Sequence, residues 1–255
     1  MEKYKPFMVG SESFKLEKNK KPYVKKFCHL AGFDVWLVNG EYIRKYICED
    51  FVNCDQHYHL KFIPKKEFWI DEHAKNGEDI FFIDHLLTEN RLMASGMNYD
   101  DAYDKATIIE QQERNKSNIA KKLNKLGKNK QRIVDKIKKE LIKKYSAELR
   151  IWVVDGEAVR NLFSIGFGLT GFGGGGHDKV YEFIPKNEIW IDEQISIKER
   201  KFIILHELCE RNLMSRGMGY YPAHRKATEI EDYCRKNSAK TNQKILEEMK
   251  KQPVF

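Results

Sequence analysis

The chain has 255 residues, of which 41% are hydrophobic and 33% are charged, and its formal net charge at pH 7 is +8. This composition excludes wholesale disorder, and the length allows one large domain or two ordinary ones. No apolar run approaches the length of a membrane span, and the amino terminus lacks the apolar core of a signal peptide, so we expect a cytoplasmic protein that does not enter a membrane. Five scattered cysteines without a CxxC pair indicate reduced structural thiols.

The sequence is an internal duplication. FIPKKEFWIDE at residues 62–72 returns as FIPKNEIWIDE at residues 183–193, and the similarity continues without a gap into the segments that follow. Upstream, VWLVNGEYIRKYI in the first copy corresponds to IWVVDGEAVRNLF in the second. We therefore predict an amino-terminal unit over residues 1–114, a lysine-rich helical linker over 115–147, and a carboxy-terminal unit over 148–255.

Each unit shows the same predicted elements in the same order. A lysine-rich helix (PYVKKFCHLAGF or IVDKIKKELIKKY) precedes a short strand, VWLV or IWVV, which an Asn-Gly or Asp-Gly turn closes. Two further strands follow, HLKFIP with EFWID and KVYEFIP with EIWID, separated by a Pro-Lys turn or break.

Two helices then complete each unit. The first ends at Gly96 or Gly217, glycines that suit a left-handed cap, and Pro222 suits the first turn of the second helix. The sequence therefore predicts an α+β fold of two tandem units, each with a small sheet and two packed helices, joined by a basic helix.

The predicted linker between the units is strongly basic. Across residues 115–145 only Asp135 and Glu140 are acidic, and helical apolar spacing is predicted in the later half of the segment. Such a segment contacts the phosphate backbone of nucleic acids through counterion release, or it is simply a solvated helix. The candidate nucleic-acid contacts are Lys121, Lys122, Lys125, Lys128, Lys130 and Arg132.

The candidate chemical site begins at LHELCERNLM in the second unit. On a helix, His206 and Glu210 lie one turn apart on the same face, where both reach one metal ion. With His224 from the next helix they form a two-histidine, one-carboxylate set, which suits zinc or another divalent metal. Glu207 is placed to act as a general base, and Glu231 to orient His224 or to serve as an alternative ligand.

The HELCE stretch resembles the HExxH helix of the zincin metallopeptidases, with Glu210 in place of the second histidine. This resemblance implies a zincin-like fold, a zinc cofactor and a peptide or protein substrate. The last hundred residues or so also resemble uncharacterised proteins of bacteriophage and prokaryotic genomes, which implies a virion or host-cytoplasm location but no activity.

The two copies differ at the positions that the predicted chemistry needs. His85, Glu89 and Glu110 match ligand-type residues of the second copy, but Leu86 replaces Glu207 and Tyr103 replaces His224. A glycine-rich stretch ending at His177 occurs only in the second copy. We interpret it as a hairpin tip or a substrate-facing loop, with His177 as an extra ligand or a hydrogen-bond donor.

Three functions stay open at this point. The first is a metal-dependent hydrolase, a zinc peptidase active in the second copy only. The second is a non-enzymatic structural, virion or nucleic-acid-associated protein whose His/Glu pairs join helices. The third keeps the metal but hydrolyses a phosphoester, which the basic linker favours.

Overall fold

The protein is described by a computed structural model, which covers residues 22–74, 77–117, 130–146, 148–167 and 174–251. It contains two four-stranded mixed sheets, each with packed helices. The predicted α+β class and the duplication are therefore confirmed. Within the described residues, no helix is long and apolar enough to cross a membrane.

The first unit forms one sheet in the order β1-β2-β4-β3. Strands β2 and β4 are parallel, while β1 and β3 run antiparallel to their neighbours. Its elements are β1 (Tyr23–Leu30), β2 (Phe33–Val38), α1 (Gly40–Tyr46), β3 (Cys54–Gln56), β4 (Glu67–Asp71), α2 (Asp79–Ala94) and α3 (Tyr99–Lys116).

The second unit repeats this arrangement, with its sheet in the order β5-β6-β8-β7 and with the same strand directions. Trp152 pairs with Trp190 across the parallel strands as Trp36 pairs with Trp69 in the first sheet. Its elements are α4 (Lys130–Ile137), β5 (Lys138–Leu141), β6 (Arg150–Val154), α5 (Gly156–Leu162), β7 (Gly175–His177), β8 (Glu188–Asp192), α6 (Ile197–Ser215), α7 (Tyr220–Lys236) and α8 (Thr241–Met249).

The predicted lysine-rich helix at the start of each unit is wrong in the first unit and half right in the second. Residues 23–30 form the edge strand β1, because backbone pairing with β2 outweighs their helical spacing. In the second unit, α4 ends at Ile137, and residues 138–141 pair with β6 as an edge strand. Part of the segment predicted as a linker thus belongs to the second sheet.

The predicted strands over residues 59–64 and 179–185 are also wrong. These residues form turns that place Ile63 and Ile184 in the core, and the strands beside them are β3 and β7, which lie earlier in the chain. The break predicted at each Pro-Lys step is confirmed in the first unit, where the Glu67 amide donates to the Pro64 carbonyl at 3.0 Å. A proline has no N–H to continue a ladder, so each strand begins after it.

Asn39 and Asp155 begin helices instead of closing hairpin turns. The side chain of Asn39 accepts a hydrogen bond from the Tyr42 amide at 2.7 Å, and Asp155 does the same for Ala158 at 3.1 Å. Both are therefore N-caps, of α1 and α5. The predicted glycine caps are confirmed, since Gly96 and Gly217 have φ values of 97° and 90°.

Candidate metal site

The site lies where α6 and α7 pack against each other beside β7. All residues of α6 from Phe202 to Asn212 are buried, so its polar side chains at this point must find partners inside the protein. Two overlapping groups of buried side chains meet the geometric requirement for holding a metal ion. They are His206 with Glu210 and His224, and His177 with Glu207 and Glu210.

The first group matches the ligand set predicted from the sequence. His206 Nε2 lies 3.1 Å from His224 Nδ1 and 3.5 Å from Glu210 Oε2, and His224 Nδ1 lies 2.7 Å from the same carboxylate oxygen. Four ligands at about 2.1 Å from a tetrahedral zinc ion are about 3.4 Å apart. Small outward shifts of these three atoms would therefore admit the ion.

His177 contacts the same carboxylate from the edge strand β7. Its Nε2 lies 3.0 Å from Glu210 Oε1, and its Nδ1 accepts a hydrogen bond from the Lys179 amide at 3.1 Å. Because Nδ1 accepts, Nε2 carries the proton and donates to Glu210. In this arrangement His177 orients the carboxylate and leaves the other oxygen of Glu210 to face the two histidines.

Glu231 contacts His206, whereas the sequence predicts it beside His224. Its Oε2 lies 2.9 Å from His206 Nδ1, and its Oε1 accepts from Arg235 Nε at 2.8 Å. Burial raises the pKa of Glu231, but Arg235 and His206 outweigh this and lower it to about 2. An ionised carboxylate on Nδ1 directs Nε2 of His206 into the site, the usual arrangement behind a metal-bound histidine.

The two glutamates of α6 have opposite protonation tendencies. Burial and the charge of Glu210 raise the pKa of Glu207 well above its usual range. Burial also acts on Glu210, yet hydrogen bonds from His177, His206 and His224 lower its pKa well below that range. One carboxylate is thus held as an anion among histidines, and its neighbour favours the protonated form until a cation or a base changes its surroundings.

The glycines before His177 allow β7 to approach α6. A Cβ atom on Gly175 would lie 2.8 Å from the Trp190 carbonyl oxygen and 3.2 Å from Glu207 Oε1. At Gly176 it would lie 2.6 Å from the Tyr181 ring. These glycines therefore belong to a buried strand and not to a hairpin tip; Gly168, Gly171 and Gly173, the other part of the predicted loop, lie outside the described residues.

The first unit keeps part of this constellation. His85 Nδ1 lies 2.9 Å from Glu110 Oε2, and His85 Nε2 lies 3.5 Å from Glu89 Oε2. Gln56 takes the place of His177, and its amide donates to Glu89 at 2.6 Å. With Leu86 and Tyr103 at the remaining positions, the described part of this unit contains no group that meets the same metal-binding geometry.

Sequence reasoning did not identify Tyr220, which closes the site from the first turn of α7. Its ring stacks on His224, with centroids 5.5 Å apart and an interplanar angle of 25°. A cavity of about 10 Å³ lies beside it, lined by Glu207, Glu210, Tyr181 and both histidines. The duplication could have indicated Tyr220, because Tyr99 occupies the matching position of the first copy. In the first unit the Tyr99 ring likewise stacks on a histidine, His59.

The predicted nucleic-acid contacts fall largely outside the described residues, which do not include Lys121, Lys122, Lys125 and Lys128. Lys130 begins α4, and Arg132 is exposed on the same helix. Contact with nucleic acid stays a prediction.

Comparison with protein-family models, with curated proteins and with solved structures gives no match for this chain. Functional inference therefore depends on the geometry of the site.

Proposed function

We propose that the second unit is a metal-dependent hydrolase, with zinc as the metal and a peptide as the substrate. The observation that supports it is the convergence of His206, Glu210 and His224, from two helices, to separations of 2.7–3.5 Å. Two histidines and one carboxylate leave a fourth position for water or substrate. A bound zinc ion would act as a Lewis acid and lower the pKa of a coordinated water.

Glu207 is the proposed general base. It follows His206 on α6, and its carboxylate lies with His177 and Glu210 in the second potential metal-binding group. A cation at the first group would lower the raised pKa of Glu207 and leave the carboxylate free to accept a proton from water. His177 would keep Glu210 oriented while this proton moves.

We propose that substrate enters on the side of Tyr220. The cavity at the site, about 10 Å³, is large enough for an ion but not for a peptide carbonyl group. Tyr220 is only half-buried and lies in the first turn of α7, so rotation of its side chain would open the site. The choice of a peptide over a phosphoester follows the zincin resemblance of HELCE.

The second candidate is a structural role for the His/Glu pairs, and one observation favours it. His85 makes the same contacts with Glu89 and Glu110 as His206 makes with Glu210 and Glu231, at the same distances of 3.5 and 2.9 Å. Since no third ligand joins His85 and Glu89 among the described residues, these pairs can join the helices of that unit without a metal.

Elemental analysis of the purified protein, with His206→Ala and His85→Ala as a matched pair, separates the two functions. The hydrolase proposal expects one equivalent of zinc per chain, lost in His206→Ala and kept in His85→Ala. We expect an affinity loss of more than about 100-fold in the first variant, since loss of an outer partner alone costs 10- to 100-fold. Metal-free wild type with equal loss of stability in both variants would support the structural role.

A further inference from the structure

Each unit contributes one buried arginine that contacts a glutamate of the other unit. Arg44, on α1 of the first unit, donates to its own Asp71 at 2.8 Å and also to Glu199 of the second unit, with Nε at 2.6 Å from the carboxylate. Arg160, on α5 of the second unit, binds Asp192 at 2.6 Å and reaches back to Glu78 of the first unit. All six of these side chains are buried, and none is more than 4% exposed.

From Glu199 the charged contacts continue without a gap to the candidate metal site. Arg235 pairs with Glu199 and donates to Glu231 at 2.8 Å, and Glu231 lies 2.9 Å from His206 Nδ1. The signs alternate along the path from Arg44 to Glu231, and all of its side chains are buried. Because a buried charge that loses its partner destabilises the fold, a substitution at Arg44 would disturb Glu199 first and, through it, the pairing of Arg235 with Glu231.

The equivalent path that begins at Arg160 ends at His85 in the first unit. Arg160 binds Glu78, which accepts from Arg114 at 2.8 Å; Arg114 in turn donates to Glu110 at 2.6 Å. Glu110 then contacts His85. The two paths have the same residue types and the same burial, but only the path from Arg44 ends on a candidate metal ligand.

Residues of the first unit also lie close to His224, across a small cavity. A cavity of about 20 Å³ between the units is lined by Arg44, Glu49 and Asp50 on one side and by His206, His224 and Glu231 on the other. Within the described residues, His224 Nε2 and Glu49 Oε1 are buried without a hydrogen-bond partner. Asp50, itself 8% exposed, lines the same cavity as His224.

From these observations we infer that the first unit is a positioning component of the metal site in the second, with Arg44 orienting His206 and the Glu49–Asp50 pair placed across the cavity to accept a hydrogen bond from His224. The inference rests on the proposed function, because it takes His206 and His224 as ligands. It gives the first unit a role despite its incomplete ligand set. A carboxylate at Nε2 of His224 would fix the ring so that Nδ1 faces the metal.

The test compares Arg44→Lys with Arg160→Lys in the full-length protein. Each variant keeps the positive charge and loses the fork that binds two carboxylates, so we expect similar losses of thermal stability. Zinc affinity, measured by competition with a chromophoric chelator, should fall about 10- to 100-fold in Arg44→Lys and less than about threefold in Arg160→Lys. Equal affinities in the two variants would overturn the inference and leave the proposed metal site standing.

Asp50→Asn, with exposed Asp104→Asn as its control, gives a second measurement should the arginine variants fail to fold. We expect zinc affinity to fall about tenfold in Asp50→Asn only, and the ¹⁵N signals of the His224 ring to move. Unchanged affinity and unchanged His224 signals would contradict the role of this pair. A wild-type protein that binds no zinc would overturn both the proposed function and this inference.

Discussion

The two units share a buried framework and differ at the places where a metal would bind. In both, a histidine on the first long helix is held between a glutamate four residues later and a glutamate on the next helix, which an arginine binds in turn. Around this framework, His177, Glu207 and His224 in the second unit replace Gln56, Leu86 and Tyr103 in the first. The shared ionic contacts thus belong to the fold, and the differences define the candidate metal site of the second unit.

The ionic contacts also explain how a buried histidine–glutamate pair can persist in the first unit, where the described residues offer no third ligand. A buried charge left without its partner destabilises a protein by several kcal/mol, so the whole path from Arg160 to His85 is retained as a set. In the second unit the same set additionally directs a ring nitrogen toward Glu210 and His224.

Glu207→Gln should give the largest effect. If Glu207 accepts the proton, hydrolysis falls about 10²- to 10⁴-fold while zinc stays bound, since general-base catalysis contributes about that much. The measurement is turnover of a fluorogenic peptide library and of a phosphodiester by zinc-loaded protein. Glu229→Gln, exposed on the neighbouring helix, serves as the control. Undiminished hydrolysis in Glu207→Gln would show that another group is the base.

Conversion of the first unit toward the second would test whether the shared framework preorganises a metal site. With Gln56→His and Tyr103→His in a His206→Ala background, we expect a new zinc site of weaker affinity than the natural one. The framework is ready for it, because the ring centroids of His85 and Tyr103 are 5.3 Å apart, close to the 4.8 Å between His206 and His224. Elemental analysis would detect the metal.

The matched control for that conversion is Tyr103→Phe, which removes the hydroxyl without adding a ligand. If the double substitution folds but takes up no more zinc than this control, the framework alone does not preorganise a site.

The smallest effect concerns stability and pH. Burial lowers the pKa of His85, but Glu110 and Glu89 outweigh it and raise the pKa to about 9. A raised pKa in the folded state stabilises the protein fully below the unfolded value near 6.5, and this stabilisation is lost as the pH rises through 9. We compare the free energy of unfolding of the wild type with that of His85→Gln. The difference between the two should therefore be about 3 kcal/mol smaller at pH 9.5 than at pH 6.

Denaturant unfolding of the two metal-free proteins across this pH range measures that difference. His206 and the buried thiols titrate in both proteins and so cancel. A difference that does not change with pH would mean that His85 has the same charge in the folded and unfolded states.

The sequence predicted the duplication, the α+β class, the long helix pair and its glycine caps, because these depend on local periodicity and on a direct comparison of two copies. It misassigned β1 and the turns before β4 and β8. In β1 the apolar and lysine residues fit a helix as well as a strand, and only pairing with β2 decides between them. The turns bury Ile63 and Ile184, and buried apolar residues in a short segment are also the pattern expected of a strand.

Helical spacing in the sequence places His206 and Glu210 on one face of a single helix, since residues four apart face the same way, and it puts Glu207 one residue along from His206. The other contacts of the site depend on how the helices and the two units pack. This packing brings His224 to 3.1 Å from His206 and places Glu231 in contact with His206. It also places Arg44 and Asp50 of the first unit at the cavity that both histidines line. The reason is physical: these contacts join residues far apart in the chain, and packing alone determines which buried charges meet.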